Sequence, residues 1–163
     1  MRAPPRAAGI VRLLAALERA AIAGLMAAIT ILTFAQVVWR YGFDQPLQWS
    51  EEVARYAFVW VTFLGAATLL RLRDGHPAID TLYLRAGPRL QRAMDVLSRA
   101  MVIACCLAIA AGGLRMMQLQ WKQLSPSLEL PMVWVYLSMA LPPLVGIFWV
   151  LWCARHGHME DEA

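Results

Sequence analysis

The sequence predicts an all-α membrane protein with four transmembrane helices, and three observations support this fold class. Hydrophobic residues make up 60% of the 163 residues and charged residues 16%, whereas a soluble domain is about 45–50% apolar and about 25% charged. Four apolar runs are each long enough to cross a hydrocarbon core of about 30 Å, and basic residues flank these runs. The predicted spans lie at about 20–39, 53–70, 96–114 and 132–153. We therefore expect a single integral membrane domain that comprises residues 1–163.

The first apolar run, 20–39, carries no formally charged residue. It is longer than the apolar stretch of an ordinary signal peptide and further spans follow it, so we expect it to be retained as a signal-anchor. Before this run, Ile10, Leu13, Leu14 and Leu17 recur at helical spacing. They predict either a short amphipathic helix in the cytoplasmic interface or a cytoplasmic extension of the first span.

The third and fourth spans carry proline signals. Pro88 suits the first turn of a helix, and helical periodicity continues from it to about Gln123. Such a helix would be roughly 50 Å long at ~1.5 Å per residue, so it should project beyond the bilayer or tilt strongly. In the fourth span, the adjacent Pro142 and Pro143 are expected to distort the helix.

The distribution of basic residues predicts the orientation in the membrane. The N-terminal tail, the connection between spans two and three and the C-terminal tail hold ten of the fifteen Lys and Arg residues. The two connections on the opposite side hold three. By the positive-inside rule, both termini should face the cytoplasm. The formal charge of +4 thus reflects membrane topology and does not indicate a nucleic-acid partner.

Charged side chains crowd the connection between the first two spans. Ser50 is predicted to be the N-cap of the second helix, and Glu51 and Glu52 in its first turn would complement the helix dipole. Arg55 follows these carboxylates at helical pairing distance, and Arg40 ends the neighbouring helix. We interpret this group as a self-neutralising hinge between two helices. The alternative is that the carboxylates bind a substrate or a coupling ion.

Five further residues are predicted to have structural or interfacial roles. Trp49 suits the headgroup level of the membrane, where tryptophan is enriched. His76 and Asp80 are expected to pair within the cytoplasmic connection, and Asp95 is expected to pair with Arg99 on the third helix. We expect no catalytic residue, metal site or cofactor among these side chains.

Three classes of small membrane protein lack their defining residues here. A proton-coupled drug exporter would need a carboxylate in span one, but no Asp or Glu lies between Glu18 and Asp44. A thiol oxidase would need periplasmic cysteine pairs, whereas Cys105 and Cys106 lie in mid-span and Cys153 near the cytoplasm. A haem-binding bundle would need intramembrane histidine, and all three His fall in predicted cytoplasmic segments.

A longer pattern spreads over residues 20–153. Its parts are Arg40-Tyr41, Phe43, Pro46-Leu47, Trp49-Ser50-Glu51-Glu52, Phe58-Val59-Trp60, Gly65-Ala66, Gly75-His76, Ile79-Asp80, Ser125-Pro126, Leu128, Leu130-Pro131-Met132, Trp134-Val135-Tyr136 and a Pro-then-Gly stretch from Pro143 to Gly146. This pattern resembles the small permease subunit of TRAP transporters, the tripartite ATP-independent periplasmic transporters.

The resemblance implies a subunit role in the bacterial inner membrane. In such systems a periplasmic binding protein captures an organic anion, often a carboxylate, and a large multi-span permease subunit imports it with a sodium gradient. The small subunit, surrounded by lipid, packs on the fixed scaffold of the large one, anchors it and helps to form the docking surface for the binding protein. Substrate and sodium sites are then expected in the large subunit. The alternative is an accessory or assembly subunit of another membrane complex.

Overall fold

The structure, a computed structural model, describes residues 5–43, 47–71 and 87–156. Within these ranges the chain is helical, with an isolated β-bridge between Leu124 and Pro131. The helices are α1 (Pro5–Gly42), α2 (Gln48–Leu69), α3 (Pro88–Leu119) and α4 (Val133–His156). The helical character expected from the apolar runs is therefore confirmed for the part of the chain that the structure describes.

Among the described residues, three helices are long and apolar enough to cross a membrane: Gly9–Gly42, Pro88–Leu119 and Val133–His156. Helix α2 has 22 residues, about 33 Å of helix, but three charged side chains fall in its first two turns. That α2 also crosses the membrane, and that both termini face the cytoplasm, stay predictions.

Helix α1 is a single helix of 38 residues, about 57 Å long. Its N-terminal part is therefore an extension of the first span, which agrees with the second of the two alternatives for this segment. Val11 and Ala15 on this extension are buried against Trp149 of α4. Ile10 and Leu13 point away from that contact and are exposed.

In the described part of the chain the helices pack mainly as a row, and the N-terminal extension of α1 also contacts α4. Helix α1 packs on α2, α2 packs on α4, and α4 packs on α3. Two glycines allow close approach: a Cβ on Gly113 would lie 2.9 Å from the Ala140 nitrogen, and one on Gly146 would lie 2.9 Å from the Leu70 Cδ1. Many large hydrophobic side chains of the described helices are exposed, among them Phe34, Phe58 and Leu97. Much apolar surface is therefore left for lipid or for other subunits.

Prolines lie at the start of α3 and inside α4. Gly87 is the N-cap of α3 and Pro88 lies in its first turn, as predicted. The helix ends at Leu119, earlier than predicted, because the chain then turns into a loop. It has 32 residues, about 48 Å. Helix α4 runs unbroken through the buried Pro142 and Pro143, so the doublet does not end the helix.

Candidate functional site

A buried carboxylate lies near the start of α2. Glu52 is 6% exposed and accepts hydrogen bonds from the backbone N–H groups of Ser127, at 3.0 Å, and Leu128, at 3.2 Å. The hydroxyl of Tyr56, one turn further along α2, also donates to Glu52. We call these four residues the Glu52 cluster. Hydrogen bonds to an ionised carboxylate are stronger than those between neutral groups, so this cluster holds the α3–α4 connection against α2.

The loop that Glu52 binds, residues 120–132, is also closed by its own hydrogen bonds. The Ser125 N–H donates to the Leu130 carbonyl at 2.9 Å, and the Ser125 Oγ accepts from the Leu130 N–H at 3.2 Å. The Met132 N–H donates to the Gln123 carbonyl at 2.9 Å. Glu129 adopts a positive φ of 52°, a backbone conformation that is uncommon outside glycine. The loop is thus a compact unit rather than an extended linker.

Two further hydrogen bonds join α2 to its neighbouring helices. The Gln36 side-chain amide of α1 donates to Glu51 at 2.6 Å. The Trp60 indole N–H donates to the backbone carbonyl of Trp134, on α4, at 3.2 Å. Glu51 and Glu52 are adjacent, yet they bind opposite neighbours of α2.

The structure corrects the predicted role of Ser50. Helix α2 begins at Gln48 with Leu47 as its N-cap, and no side chain caps it by a hydrogen bond. Ser50 therefore lies within the first turn, buried, and its hydroxyl donates to the Leu47 carbonyl at 2.7 Å. The prediction was wrong because α2 starts at Gln48, two residues before the serine that was expected to cap it.

The structure also replaces the partners predicted for the hinge. Among residues 5–43, 47–71 and 87–156, neither Glu51 nor Glu52 forms an ion pair with Arg40 or Arg55. Gln36 satisfies one carboxylate and backbone amides of the loop satisfy the other. Both arginines are exposed.

The remaining predicted residues are less closely connected. Trp49 is exposed at the start of α2. On α3, Asp95 is half-buried and Arg99 is exposed, and their pairing stays a prediction. His76 and Asp80 lie outside the described residues.

Sequence reasoning missed a second buried carboxylate, near the other end of α2. Glu18 of α1 is 8% exposed and accepts hydrogen bonds from the Trp149 indole N–H at 2.8 Å and the Thr68 hydroxyl at 3.3 Å. The Arg71 guanidinium is 1% exposed, and its central carbon lies 5.6 Å from the centroid of the Trp149 ring. The thiol of Cys153 is 3.7 Å from the Arg71 carbonyl. These five residues form the Glu18 cluster, which joins α1, α2 and α4.

A signal for this cluster was present in the sequence. Val11, Ala15 and Glu18 are spaced by four and three residues, so they share one face of α1. A carboxylate on a face of otherwise small apolar residues indicates a buried polar contact rather than an interfacial charge.

The described part of the chain has two grooves, one apolar and one polar. An apolar groove of about 310 Å³ lies between α2 and α3, with Pro143 and Gly146 of α4 among its lining residues. A polar groove of about 330 Å³ lies between α2 and the loop, and Arg55 and Ser127 are among the residues that line it. In the described part of the chain, no group of three or more His, Cys, Asp or Glu could hold a metal ion.

These features define an integral membrane protein whose buried polar groups join helices to one another and to a loop. A family model described as "Tripartite ATP-independent periplasmic transporters, DctQ component" matches residues 29–157. The chain belongs to this family, and is a small permease subunit of the TRAP transporter type.

Individual relatives agree with this membership. A TRAP transporter small permease protein of Haemophilus influenzae is 31% identical over 114 residues, which are 70% of each chain. The C4-dicarboxylate TRAP transporter small permease protein DctQ of Vibrio cholerae is 35% identical over 58% of this chain and 38% of its own length. The isethionate TRAP transporter permease protein DctMQ of Oleidesulfovibrio alaskensis is 32% identical over 77% of this chain. The matched region is 20% of that longer relative.

Proposed function

We propose that this chain is the small membrane subunit of a sodium-driven TRAP transporter that imports an organic anion such as a carboxylate. It packs on the fixed scaffold of a large permease subunit and anchors that scaffold in the bacterial inner membrane. It also helps to form the surface that receives a periplasmic binding protein. All four helices span the bilayer, the whole chain forms one membrane domain, and both termini face the cytoplasm.

The observation that carries this proposal is the open row of helices. A transport path normally needs ionisable groups that face a cavity inside the membrane. Here the buried carboxylates Glu18 and Glu52 accept hydrogen bonds from other parts of the same chain, so they act in holding the row together. A row with many exposed large hydrophobic side chains suits a subunit that supports another membrane protein.

The relatives support a large partner and an anionic cargo. The DctMQ relative is about five times as long as its matched region. In that relative, the segment that resembles this small subunit is therefore part of one long permease chain. The names of two of these relatives include C4-dicarboxylate and isethionate, each of which is an organic anion at neutral pH.

Purification and reconstitution test the proposal. The tagged chain, expressed in its native host, should co-purify with a large multi-span permease. Proteoliposomes that contain both membrane subunits should take up a labelled carboxylate when the binding protein and an inward sodium gradient are present. This chain alone should not transport. Uptake by the chain alone, or co-purification with an unrelated enzyme core in place of a permease, would contradict the proposal.

Topology is tested separately. A cysteine that replaces Ala163 in a variant without native cysteines should react with a membrane-impermeant thiol reagent only after the cells are opened. Labelling of intact spheroplasts would contradict a cytoplasmic C-terminus.

A further inference from the structure

Arg55 lies at an unusual depth for an exposed cation. It follows Trp49 by six residues on α2, about 9 Å along the helix axis. Trp39, Tyr41 and Trp49 are exposed at the adjoining ends of α1 and α2, and such aromatic residues are typical of the headgroup level. In the proposed topology, Arg55 therefore lies on the lipid side of the headgroups, where arginines usually pair with charged groups or backbone carbonyls of the protein.

The carboxylates nearest to Arg55 along α2 already have other partners. Glu51 accepts from Gln36, and Glu52 accepts from the loop and from Tyr56. In the described part of the chain, Arg55 forms no ion pair with either of them. Arg55, whose guanidinium has five N–H donors, is among the residues that line the polar groove.

The polar groove has a shape and chemistry that suit a protein side chain. Its volume of about 330 Å³ is smaller than the ~420 Å³ of one helical turn that is 10 Å wide, so it admits side chains rather than a whole helix. One wall is the α3–α4 loop, which Glu52 holds in place. Arg55 offers donors, whereas Glu51 and Gln48 offer acceptors. Both carboxylates of the groove already accept hydrogen bonds from the same chain, whereas the donors of Arg55 have no acceptor in the described part of the chain. A side-chain carboxylate of another polypeptide supplies the acceptors that a guanidinium needs.

We propose that the polar groove is a docking site for an acidic side chain of the large membrane subunit, which forms an ion pair with Arg55. This inference rests on the proposed function and adds to it the position and charge of one subunit contact. The depth of Arg55 favours a membrane-embedded partner over the soluble binding protein, since a soluble protein contacts the membrane from outside the headgroups. A carboxylate matches the planar guanidinium by paired hydrogen bonds.

Charge reversal tests the contact. The variant Arg55→Glu is compared with Arg115→Glu, which reverses an exposed arginine of α3 outside the groove. Co-purification of the large subunit with Arg55→Glu should fall at least tenfold, whereas Arg115→Glu should retain it. Both variants should elute as single species in detergent without the partner. Equal recovery of the large subunit with the two variants would overturn the inference.

Cross-linking tests the location without a change of charge. A photoreactive amino acid at Ser127, in the otherwise wild-type complex, should form an adduct with the large subunit close to an Asp or Glu. Reversal of that acidic residue to Lys should restore assembly with Arg55→Glu. Adducts with the binding protein alone, or with lipid alone, would overturn the inference but leave the proposed function intact. Failure of the wild-type chain to co-purify with any large permease would overturn both.

Discussion

Gly113 offers a direct test of how closely α3 and α4 pack. A Cβ on this residue would lie 2.9 Å from the Ala140 nitrogen and 2.9 Å from the Met139 carbonyl carbon. Favourable carbon contacts are about 3.5–4.0 Å long. Because the opposing atoms are helical backbone, they cannot rotate away. The substitution Gly113→Ala should therefore push the two helices apart by about 0.5–1 Å, enough to weaken their contacts along the seam.

The neighbouring Gly112 supplies a matched control, since a Cβ there would meet nothing within 4 Å. Each alanine gains about 1 kcal/mol of helix propensity over glycine, so this gain cancels between the two variants. What remains is the cost of overpacking at Gly113, about 1–3 kcal/mol. At about 2–4 °C per kcal/mol for a chain of this length, Gly113→Ala should melt about 2–12 °C below Gly112→Ala.

The assay is thermal unfolding of both variants in the same detergent, followed by tryptophan fluorescence, with wild-type protein alongside. Gly112→Ala should melt at or above the wild-type temperature. Equal melting temperatures for the two alanine variants would refute the close contact between α3 and α4. A higher melting temperature for Gly113→Ala would refute it more strongly, because it would mean that the added methyl group fills a void.

Two further predictions concern the buried carboxylates. Glu52→Ala should free the α3–α4 loop and raise its rate of cleavage by an added protease several-fold, whereas Glu51→Ala should not, since Glu51 binds α1; equal cleavage rates would contradict the anchoring role of Glu52. Trp149→Phe removes the indole N–H that donates to Glu18, and a lost hydrogen bond to a charged group is worth about 1.5–3 kcal/mol. Its melting temperature should fall by several degrees relative to the exposed-site control Trp134→Phe, and a drop of the same size in both variants would argue against the Glu18 cluster.

The helices could be predicted from the sequence because lipid imposes a simple pattern. A backbone inside the bilayer must satisfy its own hydrogen bonds, so a long uncharged run leaves little choice besides a helix. The start of α3 was also predictable, since Pro88 lacks the N–H that a first helical turn leaves unused. The start of α2 was not, because its cap is Leu47, whose side chain carries no capping signal.

The partners of the carboxylates could not be predicted by local rules. Spacing of three or four residues brings Arg55 near Glu51 and Glu52, but an exposed pair contributes little to stability. The N–H groups of Ser127 and Leu128 bind Glu52 instead, and they lie 75 and 76 positions away in the chain. Loop amides that are already fixed lose less entropy on binding than a long arginine side chain does. Nothing in the neighbourhood of Glu52 in the sequence encodes that distant loop.

The row of helices explains why polar clusters lie near both ends of α2. In lipid, apolar surface gives no hydrophobic drive for helices to associate, so close packing and polar contacts must hold them. Helix α2 contacts both α1 and α4. Near the C-terminal end of α2, Glu18 joins all three helices by hydrogen bonds. Near the N-terminal end of α2, Glu52 fixes the loop that precedes α4. Helix α3, at the edge of the row, relies on the close approach at Gly113. A row fixed in this way keeps its faces available to lipid and to a larger subunit.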